Sequence, residues 1–224
     1  MRRFLFLLLT LLAACTRPLA PPEAAFLRNF TGDRLDTSAI RIHPGLVTLT
    51  RRFPVQPRLT CQSRLYPPNP NKTALGAAPA MTLWNTIMVR SDWAAKDLTG
   101  GVPRQMDLVR AMLLAHEAVH VWQWQHRAET GYTPWRAARE HVTSADPYLF
   151  DPDTTADFSS FGYEQQGAIV EEYLCCRVLA PNAERTRRLH EMLAKVFPVS
   201  PISTPLAQQV LLPWRGVQIE GICD

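Results

Sequence analysis

From Asp107 to Arg127 the chain is apolar at most positions, and its few polar residues share no single face. Such a stretch predicts a buried helix, and Pro103 stands just upstream, where a helix tolerates proline. Two further helices are predicted, over about 163–178 and 182–197. The segment Ala80–Arg90 is rich in β-formers and reads as a strand or hairpin. Ile40-Arg41-Ile42-His43 alternates and stops at Pro44-Gly45, which suits a short strand and a turn. Residues 51–80 are proline-rich, mostly loop, with Leu59–Leu65 as a possible strand. Residues 128–162 form a long connection with one short helix expected at Trp135–His141, and connections of this length are often functional. The last stretch, with Pro198, Pro201, Pro205 and Pro213, is expected to be irregular. The pattern describes one α+β domain, mainly helical, with a small sheet beside the 107–127 helix.

The N-terminus is of another kind. Met1-Arg2-Arg3 precedes an apolar run that is too short to span a bilayer permanently. It ends Leu12-Ala13-Ala14-Cys15, which resembles the bacterial lipobox. That resemblance implies removal of residues 1–14, a lipid on Cys15, and a membrane anchor. Thr16 rather than Asp follows, which by the same resemblance implies the outer membrane, facing the periplasm. Residues 15–28 are then expected to be a tether, with a short helix around Glu23–Phe30, and 29–224 the domain.

Charge narrows the partners. Lys and Arg number 24 against 20 acidic residues; without Arg2 and Arg3 the excess is 22 − 20, or about +2. There is no basic stripe for nucleic acid and no glycine-rich phosphate loop. A hydrophobic content of 46% can bury one sizeable core. Besides Cys15 the chain has Cys61, Cys175, Cys176 and Cys223. An even count in an exported protein favours disulfides. Adjacent cysteines rarely pair, so Cys175 and Cys176 should reach to Cys61 and Cys223, in either of two connectivities. No Cys-x-x-Cys spacing supports a zinc–thiolate site instead.

The chemistry sits in His116-Glu117-Ala118-Val119-His120. On a helix, residues four apart share a face, about 6 Å from each other. Two imidazoles so placed can each give a nitrogen to one Zn²⁺ at about 2.0–2.1 Å, and a glutamate after the first can act as general base toward water. The competing reading is a pair of core histidines with Glu117 turned to solvent. Burying imidazole and carboxylate in an apolar helix requires compensation, which a metal gives directly. A third ligand is needed. His126 lies six residues past His120, which turns it about 120° off the metal face. Glu164, at the start of the next helix, is preferred, because Gly167 and Ala168 one turn on would let that helix come close. Glu171 is the next candidate and could otherwise hold a ligating histidine in place; Glu172 follows.

The helix around His116–His120, the upstream Ala80–Ile87 and the downstream Glu164-Gln165-Gln166 together resemble a compact zincin group, the minigluzincin-like metallopeptidases found near Vgr-type and contractile-injection proteins. The resemblance covers roughly residues 30–180. It implies a zincin-like fold, His116, His120 and Glu164 as zinc ligands, Glu117 as base, and a peptide or protein substrate lying along the upstream strand. Zincins often use a Tyr or His to stabilise the oxyanion, for which Tyr132, His141, Tyr163 and Tyr173 are candidates. The function implied is zinc-dependent peptide hydrolysis at the cell envelope. The alternative is a catalytically silent zincin-fold lipoprotein that serves as a binding or scaffold protein.

Overall fold

The computed structural model describes residues 16–55 and 57–224. The expected signal peptide (1–14) and the lipidation candidate Cys15 lie outside the described residues. The chain forms a single domain of mixed helix and sheet.

Where a tether was expected, the described residues from 17 on form regular structure. Arg17–Pro18 make strand β1, and Pro21–Thr31 make helix α1. Pro21 and Pro22 start α1, since its first amides have no intrahelical acceptor and lose nothing to proline. The helix buries Phe26, Leu27 and Phe30 and ends at Gly32, whose φ of 56° suits glycine. Glu23, in the first turn of the same helix, is fully buried. Its carboxylate accepts both Arg17 guanidinium nitrogens at 2.7 and 2.8 Å, the Ala20 amide at 2.6 Å and the Leu98 amide at 2.8 Å.

Strand β2 (Arg41–Leu46) pairs antiparallel with β1. Strands β3 (Arg51–Pro54) and β4 (Thr73–Gly76) form a separate antiparallel ribbon. Between them the possible strand at Leu59–Leu65 is instead the one-turn helix α2 (Cys61–Arg64), started by the Thr60 side chain accepting the Ser63 amide at 3.2 Å. Ala80–Arg90 is a hairpin of β5 (Ala80–Leu83) and β6 (Thr86–Arg90). Strand β6 runs parallel to β2, so the sheet order is β1-β2-β6-β5 and β5 is an edge. Ile42, Ile87 and Val89 point into the core by the two-residue alternation of strands.

After β7 (Gln105–Asp107) the long helix α3 (Leu108–Gln125) begins, with Asp107 Oδ1 accepting the Arg110 amide at 3.2 Å. Every residue from Ala111 to Gln123 is buried, as expected of a helix without a polar face. Short helices α4 (Arg127–Thr130) and α5 (Pro134–Thr143) follow, then α6 (Tyr163–Leu179) and α7 (Glu184–Ala194). The C-terminal stretch is mostly irregular, but Gln209–Leu211 forms β8, parallel to β7. Helix α3 lies between the sheet, through β5, and α6. No described helix is long and apolar enough to cross a membrane.

The disulfides are Cys61–Cys175 and Cys176–Cys223, separated by 114 and 47 residues. Both bridges leave the C-terminal part of α6, one to α2 and one to the chain end.

Glu23 ties the N-terminal segment to the core. Replacing it by alanine leaves a buried Leu98 amide without its acceptor and Arg17 without its counter-charge, so a loss of roughly 3–5 kcal/mol is expected. The urea midpoint of Glu23→Ala reads it directly; an unchanged midpoint would mean that the Glu23 network contributes nothing to stability.

Candidate metal centre

Helix α3 presents His116 and His120 to the first turn of α6, where Glu164 faces them. The three donor atoms form a nearly equilateral triangle. His116 Nε2 lies 3.2 Å from His120 Nε2 and 3.3 Å from Glu164 Oε2, and His120 Nε2 lies 3.3 Å from the same oxygen. Three ligands about 2.05 Å from a tetrahedral centre stand about 3.3 Å apart. Protons alone serve the triangle poorly. Each imidazole nitrogen carries at most one hydrogen, and His116 Nε2 faces two partners at once. These three residues have the donor chemistry and spacing to hold a metal ion.

Each ligand candidate is held from behind. His120 Nδ1 meets Gln123 Oε1 at 2.8 Å, which assigns a hydrogen to Nδ1 and turns Nε2 toward His116 and Glu164. Gln123 in turn donates to the Tyr163 carbonyl at 3.1 Å and to Gln166 Oε1 at 3.0 Å. His116 Nδ1 faces Glu171 Oε1 at 3.6 Å, which is ion-pair range but beyond a hydrogen bond. Glu171 thus stands behind His116, on the far side from Glu164. Gly167 makes the helix crossing possible, because a Cβ there would fall 2.5 Å from His116 Cε1. Glu164 also meets His141 Nε2 through its other oxygen at 3.0 Å. The α6 N-terminus is capped from α5 by Glu140, whose oxygens accept the amides of Tyr163 at 2.9 Å and Glu164 at 3.0 Å.

Glu117 is buried beside the triangle, with Oε2 accepting the Thr82 hydroxyl at 2.7 Å. Edge strand β5 therefore fixes the glutamate that follows the first histidine. Tyr148, in the long connection, has its ring 5.8 Å from His116 and 5.6 Å from His141. Tyr132 stacks on His120 at 6.1 Å. Burial, and then the carboxylates of Glu164 and Glu117, keep both phenols protonated far above the usual tyrosine range.

Other sequence candidates lie elsewhere. Tyr163 donates its hydroxyl to the Thr130 carbonyl, and Tyr173 pairs with His190 at 2.8 Å. Glu172 is occupied by Arg185 at 3.0 Å and the Cys61 amide at 2.7 Å. His126 lies against Trp122, its Nδ1 near the Trp122 carbonyl at 3.1 Å, off the metal face. The sulfurs of Cys61, Cys176 and Cys223 cluster, but disulfides occupy them. Sequence reasoning missed Thr82, Gln123, Glu140 and Tyr148 as parts of this centre. Gln123 had a signal, being a glutamine three residues past His120 in an apolar helix. The others come from distant segments.

A single mixed helix-and-sheet domain carrying a buried His-His-Glu triangle is thus what the chain presents. No protein-family profile and no curated protein matches it in sequence. A solved structure, the effector domain of Pseudomonas aeruginosa VgrG2b, is similar with a TM-score of 0.49 and 24% identity, covering 81% of this chain and 83% of that one.

Among the protein's own groups the charges are mutually dependent. Burial works against a charge on His116, but the Glu171 and Glu164 carboxylates outweigh it and hold the imidazole well above its usual range. His120 is raised in the same way by Glu164. Glu164 is below the usual carboxylate range: burial opposes its charge, and His120, His116 and His141 more than offset that. Burial raises Glu117.

A pH profile of stability follows for chelator-stripped protein. The histidines, with raised folded values, stabilise fully below the unfolded value of 6.5, and that contribution is lost as pH rises through the folded values. Glu164, with a depressed value, stabilises above 4.5, and its contribution is lost on acidification through its folded value. The urea midpoint should peak between these limits and fall above pH 6.5; a midpoint rising from there toward pH 8 would contradict the arrangement. Gly167→Ala should favour an isolated helix by about 1 kcal/mol. Here it is expected to cost about 1–3 kcal/mol by overpacking against His116, measured by the same titration.

Proposed function

We propose that this chain is a zinc-dependent metallopeptidase on a zincin-like scaffold, hydrolysing peptide bonds at the bacterial cell envelope. The observation carrying the reading is the triangle of His116, His120 and Glu164 with edges of 3.2–3.3 Å and a buried Glu117 beside it. Two imidazoles and one carboxylate suit zinc among the common divalent ions. Bound there, zinc would supply a Lewis acid that polarises a scissile carbonyl and makes water more acidic.

The protein's own groups would do the rest. Glu117 takes a proton from the attacking water and returns it to the leaving amine. Burial raises its pKa toward that task, and the Thr82 hydroxyl fixes which oxygen is turned toward the water. Gln123 keeps the His120 lone pair aimed at the ligand position, and Glu171 would receive the His116 Nδ1 hydrogen. Tyr148 and His141, with Tyr132 behind, are the donors placed to stabilise a developing oxyanion. The free edge of β5 offers backbone groups to an extended peptide, with Thr82 bringing that edge up to Glu117. By the lipobox resemblance the enzyme would sit on a lipid anchor at Cys15, facing the periplasm.

The test is metal content by mass spectrometry on oxidised protein lacking residues 1–15. About one zinc per chain is expected, lost in Glu164→Ala. In Glu171→Ala it should be kept with affinity lowered about 10–100-fold. Peptide cleavage should fall at least about 100-fold in Glu117→Gln while zinc stays bound. Wild-type protein without zinc would overturn the reading; zinc without any Glu117-dependent cleavage would leave a silent zincin-fold scaffold.

A further inference from the structure

The β5–β6 turn carries an unusual residue. Trp84 has a φ of 56°, a left-handed backbone that costs a bulky L-residue on the order of 1–2 kcal/mol. It is the only non-glycine residue with positive φ among the described residues, and it is 53% exposed. Folding alone would favour glycine or asparagine at such a turn. Trp84 faces Trp124, with ring centres 6.5 Å apart.

Trp124 lies four residues past His120, so it continues the metal face of α3 by one turn. Arg127 also packs on Trp124, its guanidinium carbon 4.4 Å from the ring centre, and donates to the Trp124 carbonyl at 3.2 Å. The turn itself is fixed. Gln125 Nε2 donates to Asn85 Oδ1 at 3.1 Å, and the Arg41 amide donates to the Asn85 carbonyl at 2.9 Å. Thr82, at the end of β5, touches Glu117, and Trp84, two residues on in the turn, faces Trp124, so both side chains are turned toward α3.

We propose that Trp84 and Trp124 form a substrate subsite for an aromatic or large aliphatic side chain of a peptide, two residues from the cleaved bond. An extended peptide on the β5 edge that continues past Leu83 brings the side chain two positions from the one beside Glu117 against the exposed indole of Trp84, next to Trp124. An antiparallel peptide carries that residue on the N-terminal side of the bond. The inference rests on the peptidase reading and adds its substrate class.

Trp84→Gly tests it without threatening the fold, because glycine relieves the left-handed backbone and its melting temperature should equal or exceed that of the parent. Cleavage of a peptide library by zinc-loaded wild type should prefer Phe, Tyr, Trp, Leu or Met two residues N-terminal to the cut. Trp84→Gly should lower kcat/KM for such peptides about tenfold and leave the alanine-substituted peptide unchanged. Calorimetric titration of the same peptides into Glu117→Gln separates the two readings. Tighter binding of the aromatic peptide, lost on adding Trp84→Gly, supports the subsite even if nothing is cleaved. Cleavage with no preference at that position, or with a preference that survives Trp84→Gly, overturns the subsite and leaves the peptidase standing. Equal binding of both peptides to Glu117→Gln likewise overturns it.

Discussion

Four ionisable side chains, His116, His120, Glu164 and Glu171, meet in the buried seam between α3 and α6. Ionised groups cannot lie in such a place singly; each must find an opposite charge or a metal. This requirement explains features that otherwise look unrelated. Gly167 lets α6 come close enough for Glu164 to reach the imidazoles. Gln123 spends its whole amide on fixing one ring and the start of α6. Glu140 leaves its own helix to cap another, which fixes the backbone of Glu164 itself. The two disulfides then secure α6 near its other end.

The sheet answers a second requirement, which is to bring a backbone edge to the same seam. The β5–β6 hairpin lies against α3, and the Thr82 hydroxyl joins strand and helix at Glu117. Thr82 also reaches the Glu117 carbonyl at 3.2 Å, so the contact fixes side chain and backbone together. The long connection from 128 to 162 completes the enclosure, since it contributes Tyr132, Glu140, His141 and Tyr148. Its function is positional. Without α5 the first turn of α6 would lose its cap and Glu164 one of its imidazole partners.

Local chemistry was legible in the chain, and long-range chemistry was not. The spacing of His116 and His120 is a property of one helix, as is the relation of Glu164 to Gly167, so both could be read before any fold was known. The relation of His120 to Gln123 is equally local and was overlooked, because a glutamine in a helix carries little information until its burial is known. Thr82, Glu140 and Tyr148 reach the centre only through tertiary folding, and no periodicity marks them. The N-terminal misreading has a different cause. Pro18, Pro21 and Pro22 resemble a linker by composition, whereas in the structure two of them initiate a helix whose Phe26, Leu27 and Phe30 are core. Leu59–Leu65 has β-forming ends, but Thr60 and the bridge at Cys61 hold it as a helical turn.

The Cys61–Cys175 bridge closes a ring of chain, and every residue placed at the centre, from Thr82 through His116 and Tyr148 to Glu171, lies within it. The whole connection between α5 and α6 also lies within that ring. A protease nicking the connection near residues 144–157 therefore opens the ring without parting the molecule. The piece bearing the two histidines and the piece bearing Glu164 remain covalently joined through sulfur and cannot dissociate from each other. A cut through this exposed connection therefore leaves the two halves of the centre tethered to one another.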